Sequence, residues 1–365
     1  MHPHLLLCFY LFLKDISIVS SFVPSILPVT SSYKHSRASR TSQRNADPTK
    51  RDSKTVPVPT EEPSWAWHAL FFSSFADGIF SSEPARFFLK QGLNALMKHG
   101  SSSSTTTRYI NQSPMRLLYI PTAMYAPRID SENSLGKQRQ RARADGKKRR
   151  TQIIQLIQQL VDVNANTVSS VTFDLDDGSI KQPEGFLSNE SIPTTISSLL
   201  VDWDPNILYM EGGNTFWLHH CLTKSTCVTD DDEAIVPVAL LIKDLMTTPY
   251  RCVTMGASAG AIVAGAQLCP ATWKQWDDPS VVPDMTHYDD WQTIVGQNVA
   301  GGTSFFPHYT PEWDNVLASK QGSVPQLVCL ADADVACING IEKSMTVLRG
   351  STKCTANELP PPHGE

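Results

Sequence analysis

Residues 251–267 read RCVTMGASAGAIVAGAQ, and this stretch decides the fold class. Its first five residues predict a buried strand, and the residues that follow the serine predict a helix. Between them Gly256, Ser258 and Gly260 form a G-x-S-x-G turn with alanines at the other positions. Such a turn is tight and strained, so it needs small neighbours, and it lifts the serine hydroxyl clear of the sheet. The stretch predicts a nucleophile elbow with Ser258 at its apex; the alternative is a small-residue packing turn or an anion-binding nest.

Strands and helices alternate on the N-terminal side of this turn. Apolar runs predict strands at 117–120, 168–175 and 207–210, and helical spacing predicts helices at 136–160, 192–200 and 236–246. Strands joined by helices form parallel sheets that are covered on both faces. The sequence therefore predicts an α/β fold, a three-layer sandwich with a mostly parallel sheet. Ligand sites in such sheets lie at the carboxyl ends of strands, where both Ser258 and the Gly212-Gly213 turn are expected.

A serine nucleophile needs a general base, because its free hydroxyl is a weak nucleophile. Three histidines follow Ser258 in the chain. His287 lies in an acidic, surface-like loop, and His363 lies in a Pro-rich tail. His308 follows an apolar run that ends in Pro307, a position that can hold the ring rigidly near the elbow. The sequence therefore favours His308 as the base.

The third member of a triad should orient the imidazole. Asp332 ends the strand-like run 327–331 and Asp334 follows two residues later, and spacing alone does not separate them. The order serine, histidine, aspartate differs from the serine, aspartate, histidine order of α/β-hydrolases. An ordinary esterase is thereby disfavoured, but it remains an alternative because several aspartates lie between Ser258 and His308: Asp277, Asp278, Asp284, Asp289 and Asp290.

Three motifs together resemble one known family. They are MEGGNTF at 210–216, GASAGA at 256–261 and FPHYT at 306–310. They look like the dipeptidase E (aspartyl dipeptidase) family of serine peptidases, which has the class I glutamine amidotransferase-like fold. The resemblance covers roughly residues 116–350 and implies an enzyme that hydrolyses short peptides without a cofactor or metal.

The resemblance also implies roles for individual residues. Ser258, His308 and Asp332 match the family's catalytic triad. The oxyanion donors map to the backbone N–H groups of Gly213 and Ala259. Asn214, in the same turn as Gly213, is expected to contact substrate.

The sequence departs from the family at two positions that matter for specificity. Glu211 stands where the family usually has a glycine. No arginine occurs from Tyr309 to Leu348, whereas in aspartyl dipeptidases an arginine after the histidine motif is thought to meet the aspartyl carboxylate. The sequence therefore predicts at most a modest preference for aspartyl peptides. The related cyanophycinases usually carry Asp-Gln-His-Phe at the histidine, whereas this chain has Phe-Pro-His-Tyr, which favours the dipeptidase branch. An amidotransferase proper would need cysteine at position 258, where this chain has serine.

The first 113 residues differ in composition from the rest. Residues 5–13 are an apolar run too short to span a bilayer but suited to a signal peptide. A basic, Ser-rich stretch follows, then a segment rich in Trp and Phe, then a Ser/Thr run. These shifts predict, in order, a signal-like segment (1–21), a disordered or transit-like segment (22–60), an aromatic appendage and linker (61–113), the serine peptidase domain (114–350) and a tail (351–365). The predicted localisation is entry into the secretory pathway with plastid targeting after it; a cytoplasmic protein is the alternative.

Composition bounds the partners. The 365 residues carry a net charge of −5, which gives no reason to expect nucleic acid. The eight cysteines contain no C-x-x-C pair, so no zinc site is predicted, and no stable membrane span is expected. The expected partner is a short peptide substrate, with the oligomeric state left open. The competing functions are an esterase or other acyl hydrolase, a cyanophycinase-like peptidase, and a catalytically silent binding protein on the same scaffold.

Overall fold

A computed structural model describes residues 62–99, 115–128, 131–161, 168–186, 190–228, 234–283 and 293–350. The predicted signal-like segment, the transit-like segment and the C-terminal tail lie outside these ranges, as do His287 and His363. Within these ranges, no helix combines the length and apolar character that a membrane crossing requires.

The described residues form strands and helices in an alternating order. The strands are β1 (His68–Phe72), β2 (Arg116–Ile120), β3 (Ser169–Asp174), β4 (Ser179–Glu184), β5 (Ile207–Met210), β6 (Thr226–Val228), β7 (Ile235–Pro237), β8 (Val253–Ala257), β9 (Thr303–Phe306), β10 (Gln326–Cys329), β11 (Val335–Asn339) and β12 (Ser344–Leu348). The α-helices are α1 (Glu83–His99), α2 (Leu135–Leu160), α3 (Thr215–Lys224), α4 (Val238–Thr247), α5 (Ala259–Ala264), α6 (Pro270–Trp273) and α7 (Asp314–Ser319). Only the last residues of the helix predicted at 192–200 are helical, and the turn continues as a π-helix, Ser198–Asp202. Ser198 Oγ accepts from the Thr195 N–H and Thr195 Oγ1 accepts from the Ser198 N–H, and these two bonds set where the helical turn begins.

Eight of the strands form one sheet in the order β12-β11-β1-β8-β5-β2-β3-β4. The five central strands, β1, β8, β5, β2 and β3, are parallel to one another. Antiparallel strands flank them on both sides, β11 and β12 at one edge and β4 at the other. In register, Leu70 of β1 and Tyr209 of β5 both pair with Met255 of β8. The predicted mostly parallel α/β sheet is confirmed.

The sheet separates two hydrophobic clusters, which makes the fold three-layered. Leu208 and Met210 of β5 pack in the cluster that contains α3, α4 and α5. Ile207 and Tyr209 of the same strand pack in the cluster that contains α1 and α2. Successive side chains of a strand point to opposite faces, so a strand covered on both faces must be apolar throughout.

The aromatic segment before residue 114 differs from its predicted role as an appendage. His68–Phe72 is β1, a fully buried strand in the interior of the sheet between β8 and β11. The helix α1 then packs Leu89 and Leu93 against the sheet. The boundary was predicted from the Ser/Thr run at 101–107, but β1, before that run, and β2, after it, belong to the same sheet.

A separate pair of strands carries the residues after β8 back to the elbow. β9 and β10 pair in parallel, with Phe306 opposite Cys329. His308 lies two residues beyond the end of β9, and Asp332 lies three residues beyond the end of β10. The parallel pairing therefore places the two side chains at the same end of this small sheet.

Candidate active site

The Ser258 turn has the strained backbone expected of an elbow. Ser258 has φ +46° and ψ −104°, and its N–H donates to the carbonyl oxygen of Phe72, at 2.8 Å. A Cβ on Gly260 would lie 2.5 Å from the carbonyl oxygen of Met210, and one on Gly256 would lie 2.9 Å from a ring carbon of Phe71. Only glycine fits at either position, so the two glycines of the motif are required by the close approach of β1 to Gly256 and of β5 to Gly260.

His308 is held by its backbone as well as its ring. It has φ +52°, in the left-handed region. Its N–H donates to Ser73 Oγ at 2.8 Å, and that hydroxyl donates to the carbonyl oxygen of Leu330 at 2.8 Å. Ser73 follows β1 directly, so the misassigned aromatic segment supplies part of the support for this histidine.

The structure brings Ser258, His308 and Asp332 into one hydrogen-bonded line. The distance from His308 Nε2 to Ser258 Oγ is 3.1 Å, and the distance from His308 Nδ1 to Asp332 Oδ1 is 2.6 Å. Because a carboxylate only accepts, Nδ1–H donates to Asp332, which leaves Nε2 to accept from the serine hydroxyl. This is the tautomer that a general base for Ser258 requires.

Asp334, the other candidate acid, is committed elsewhere. It is buried and accepts hydrogen bonds from the N–H groups of Ala331, at 3.0 Å, and Gly350, at 3.1 Å. Arg349 Nη1 lies 2.6 Å from its Oδ2. Asp334 therefore fixes the turn that presents Asp332 and ties it to the residues after β12.

The Gly212-Gly213 turn lies against the elbow. A Cβ on Gly212 would be 3.1 Å from Ser258 Cβ. Gly213 has φ +140°, and a Cβ there would be 2.3 Å from the carbonyl oxygen of Ala123, so this position also requires glycine. On the other side of the serine, Ala259 opens α5, and the first N–H groups of a helix have no acceptor within it.

Asn214 holds this turn in place through its side chain. Its Oδ1 accepts from the Trp217 N–H at 2.9 Å, which caps α3. Its Nδ2 donates to the carbonyl oxygen of Asp278 at 2.9 Å, and its own N–H donates to Ala123. The geometry assigns Asn214 a structural task, and contact with substrate stays a prediction.

Glu211, the departure from the family pattern, is buried beside the Gly212-Gly213 turn. Tyr119 Oη donates to its Oε2 at 2.7 Å, the Gly212 N–H donates to its Oε1 at 3.3 Å, and Arg149 Nε lies 3.8 Å from Oε2. Burial raises the pKa of Glu211, and the hydrogen bond from Tyr119 opposes that rise. The sequence marked this residue as unusual, but its partners are distant in the chain and were not predicted.

The segment after α6 contributes residues that sequence reasoning missed. Lys274 Nζ donates to the carbonyl oxygens of Pro307 and His308. It lies over three aromatic rings, at 4.3 Å from the centroid of Trp276, 4.4 Å from Phe306 and 5.2 Å from Trp313. Burial lowers the pKa of Lys274 to about 8.

Asp277 and Asp278, the described aspartates of the esterase alternative, do not reach His308 Nδ1 in place of Asp332. Asp277 Oδ2 accepts from the Thr215 N–H at the start of α3, at 2.9 Å, and burial raises the pKa of Asp277. Asp278 Oδ1 accepts from the Ser280 N–H at 2.9 Å. The other aspartates of that alternative, Asp284, Asp289 and Asp290, lie outside the described residues.

A carboxylate cluster lies further along the same edge of the sheet, at the end of β3. Oxygen atoms of Asp174, Asp176 and Asp177 lie within 4.8 Å of one another. Arg139 pairs with Asp176, and Lys181 Nζ lies 2.6 Å from Asp174 Oδ2. Basic side chains from α2 and β4 therefore already compensate these carboxylates.

No protein-family model matches the chain, and no curated protein matches it. Among solved structures, a protein from Listeria monocytogenes EGD-e that was provisionally named peptidase E is similar, with 15% identity, a TM-score of 0.43, and coverage of 78% of this chain and 98% of that one. A peptidase from an acI-B1 Actinobacterium has 15% identity and a TM-score of 0.39, with coverage of 76% and 84%. Neither likeness, at this identity and superposition, identifies the reaction of this chain.

Proposed function

We propose that this chain is a serine-type hydrolase that cleaves short peptides in the manner of a dipeptidase. The observation that carries the proposal is the line from Ser258 Oγ through the His308 ring to Asp332, with contacts of 3.1 Å and 2.6 Å. The strained elbow supports it independently, because a serine in a left-handed conformation costs free energy that a mere packing turn does not require.

The reaction follows from these positions. Ser258 Oγ attacks the scissile carbonyl carbon while His308 Nε2 takes the hydroxyl proton. The electron pair moves to the carbonyl oxygen, where the N–H groups of Ala259 and Gly213 stabilise the charge. Collapse of this intermediate breaks the C–N bond, and His308 gives its proton to the departing amine. Water then attacks the acyl carbon with His308 again as base. The bond from that carbon to Ser258 Oγ breaks, His308 returns its proton to Ser258, and the carboxylic acid product leaves, while Asp332 holds the ring throughout.

Labelling with a fluorophosphonate tests the nucleophile. The wild-type protein should become modified on the peptide that contains Ser258, and Ser258→Ala should lose both the label and the hydrolysis of dipeptides. Ser319→Ala, which changes an exposed serine at the end of α7, is the matched control and should keep both. A wild-type protein that takes no label and cleaves no dipeptide would be the silent binding protein that the fold also permits.

A further inference from the structure

Trp276 is exposed beside the proposed base. The exposed fraction of Trp276 is 61%, which is unusual because an apolar side chain of this size is normally buried. Its ring centroid is 6.0 Å from that of His308, with the two planes at 49°. A large indole left open to solvent next to a catalytic ring is a candidate contact for substrate.

Contacts with Trp313 and Lys274 position the indole. Trp313 packs edge-on against it, with centroids 5.6 Å apart and planes at 82°. Lys274 Nζ lies 4.3 Å from its centroid. Two nearby residues of the same segment are anchored too, since Lys274 bonds the carbonyl oxygens of Pro307 and His308 and Asp277 accepts from the Thr215 N–H. A fixed aromatic wall can select a side chain at little cost in conformational entropy.

The position of the wall relative to His308 indicates which part of a substrate it meets. In the proposed reaction, His308 Nε2 hands its proton to the departing amine, so that amine must come within about 3 Å of Nε2. The carbonyl oxygen of the acyl part is turned toward Ala259 and Gly213 instead. A wall that flanks the imidazole therefore lies on the side of the departing residue.

The charge behind the ring restricts what this wall accepts. The π face attracts cations in general, but Lys274 already occupies one side of the indole. A basic side chain placed on the exposed part of the ring would meet the field of that ammonium, and the carboxylate of Asp332, which acts on the same ammonium, is already paired with His308. Aromatic and large aliphatic side chains meet no such penalty and gain by burial.

We propose that Trp276 forms a subsite for the side chain of the residue on the departing side of the scissile bond, and that this subsite prefers aromatic and large aliphatic side chains over small or basic ones. The inference rests on the proposed peptidase function. Trp276 acts here as a specificity residue and takes no part in the proton transfers.

The test compares kcat/KM for dipeptides that share a first residue and differ in the second. Two series, Ala-Y and Asp-Y with Y as Phe, Leu, Ala or Lys, avoid dependence on one first residue. We expect wild-type protein to favour Phe over Ala by at least about tenfold, the usual worth of a modest apolar contact. Trp276→Ala should reduce the ratio to about one to two, and Trp276→Phe should give an intermediate ratio. Removal of the indole could also disturb Lys274 and, through it, His308. Such a loss would lower kcat/KM for all substrates equally, so it cancels in the ratio of Phe to Ala substrates.

Phe87→Ala is the matched control, because Phe87 is a similarly exposed aromatic residue on α1, with 62% of its surface accessible. It should leave the ratio unchanged. If wild-type protein cleaves the dipeptides and takes the fluorophosphonate label, but Trp276→Ala keeps the wild-type ratio, the subsite is overturned while the proposed function stands. If wild-type protein neither cleaves nor labels, the proposed function fails and the subsite with it.

Discussion

Lys274 and His308 are joined through the backbone, because the lysine ammonium donates a hydrogen bond to the carbonyl oxygen of the histidine. A second bond from the same ammonium reaches Pro307. His308 has a positive φ, which a residue other than glycine or asparagine keeps only when its surroundings enforce it. Lys274 and Ser73, on opposite sides of the peptide, supply that enforcement.

The first prediction concerns the pH dependence of this clamp. Burial lowers the pKa of Lys274 to about 8, so the folded protein loses the ammonium charge as pH rises through 8 while the unfolded chain keeps it until its usual value. The clamp then weakens, and kcat/KM should fall on the alkaline side with a midpoint near pH 8. The free energy of unfolding changes in the opposite direction. Between the two pKa values the unfolded chain binds more protons than the folded protein, so this group makes folding more favourable as pH rises.

Lys274→Met tests the assignment. A hydrogen bond from a charged group contributes about 1.5–3 kcal/mol, so kcat/KM at pH 7 should fall by roughly ten- to a hundredfold, and the alkaline limb should disappear. Lys320→Met is the matched control and should keep both the activity and the limb. An unchanged limb in the Lys274 variant would assign the midpoint to another group.

The second prediction separates the two aspartates of the turn after β10. Asp332→Asn should reduce kcat on the order of 10⁴-fold, as in a chymotrypsin-type triad, because asparagine stabilises the wrong tautomer of the base. Asp334→Asn should chiefly lower stability, since Asp334 pairs with Arg349 and accepts two backbone N–H groups. Activity measured at a temperature where both variants are folded decides between them, and greater loss in the Asp334 variant would contradict the geometry.

The third prediction concerns Glu211 and sets stability against activity. Burial raises the pKa of Glu211 above that of the unfolded chain, so this group makes folding less favourable as pH rises through the window between the two values. Glu211→Gln removes that charge, and its free energy of unfolding at pH 8 should be unchanged or higher by about 1 kcal/mol. Activity should nevertheless fall, because Glu211 accepts from both Tyr119 Oη and the Gly212 N–H, whereas glutamine has a single acceptor oxygen and cannot hold the Gly212-Gly213 turn through both bonds.

Urea unfolding at pH 5 and pH 8, alongside kcat/KM, measures both effects. The variant should lose part of the pH dependence of stability that the wild-type protein shows. Glu190→Gln, which changes a carboxylate away from the elbow, serves as control. A large destabilisation of Glu211→Gln would mean that its pair with Tyr119 and Arg149 stabilises the fold by more than its burial costs.

The site was predictable from the sequence where its contacts are local. The elbow around Ser258 is encoded by adjacent small residues and by the strand and helix on either side. β1 was missed because the Ser/Thr run after α1 resembles a domain boundary, and the pairing of Leu70 with Met255 spans about half of the chain. Lys274 was missed for the same reason, since the carbonyl groups that it contacts lie more than thirty residues away in the sequence. Glu211 could be recognised as unusual, but nothing near it in the sequence predicts the hydrogen bond that it accepts from Tyr119.

The last prediction concerns the first residue of the substrate. Selection of an N-terminal aspartate requires a cation, and a guanidinium is the best match for a carboxylate. Between His308 and Arg349 the chain has no arginine. Arg349 itself pairs with Asp334, and Lys274 is enclosed by aromatic rings and bonded to carbonyl oxygens.

These commitments limit the discrimination that the site can provide. We expect kcat/KM for Asp-Leu to exceed that for Asn-Leu by less than about a hundredfold, which corresponds to about 2.7 kcal/mol of transition-state stabilisation. Ala-Leu, measured alongside, shows whether a polar first residue matters at all. A larger preference would require a cation from elsewhere, and Arg149, whose Nε lies 3.8 Å from Glu211 Oε2 next to the Gly212-Gly213 turn, is the candidate. In that event Arg149→Met should abolish the preference for aspartate while it leaves cleavage of Ala-Leu intact; if the preference persists in that variant, the cation belongs to a residue that the present geometry does not bring to the site.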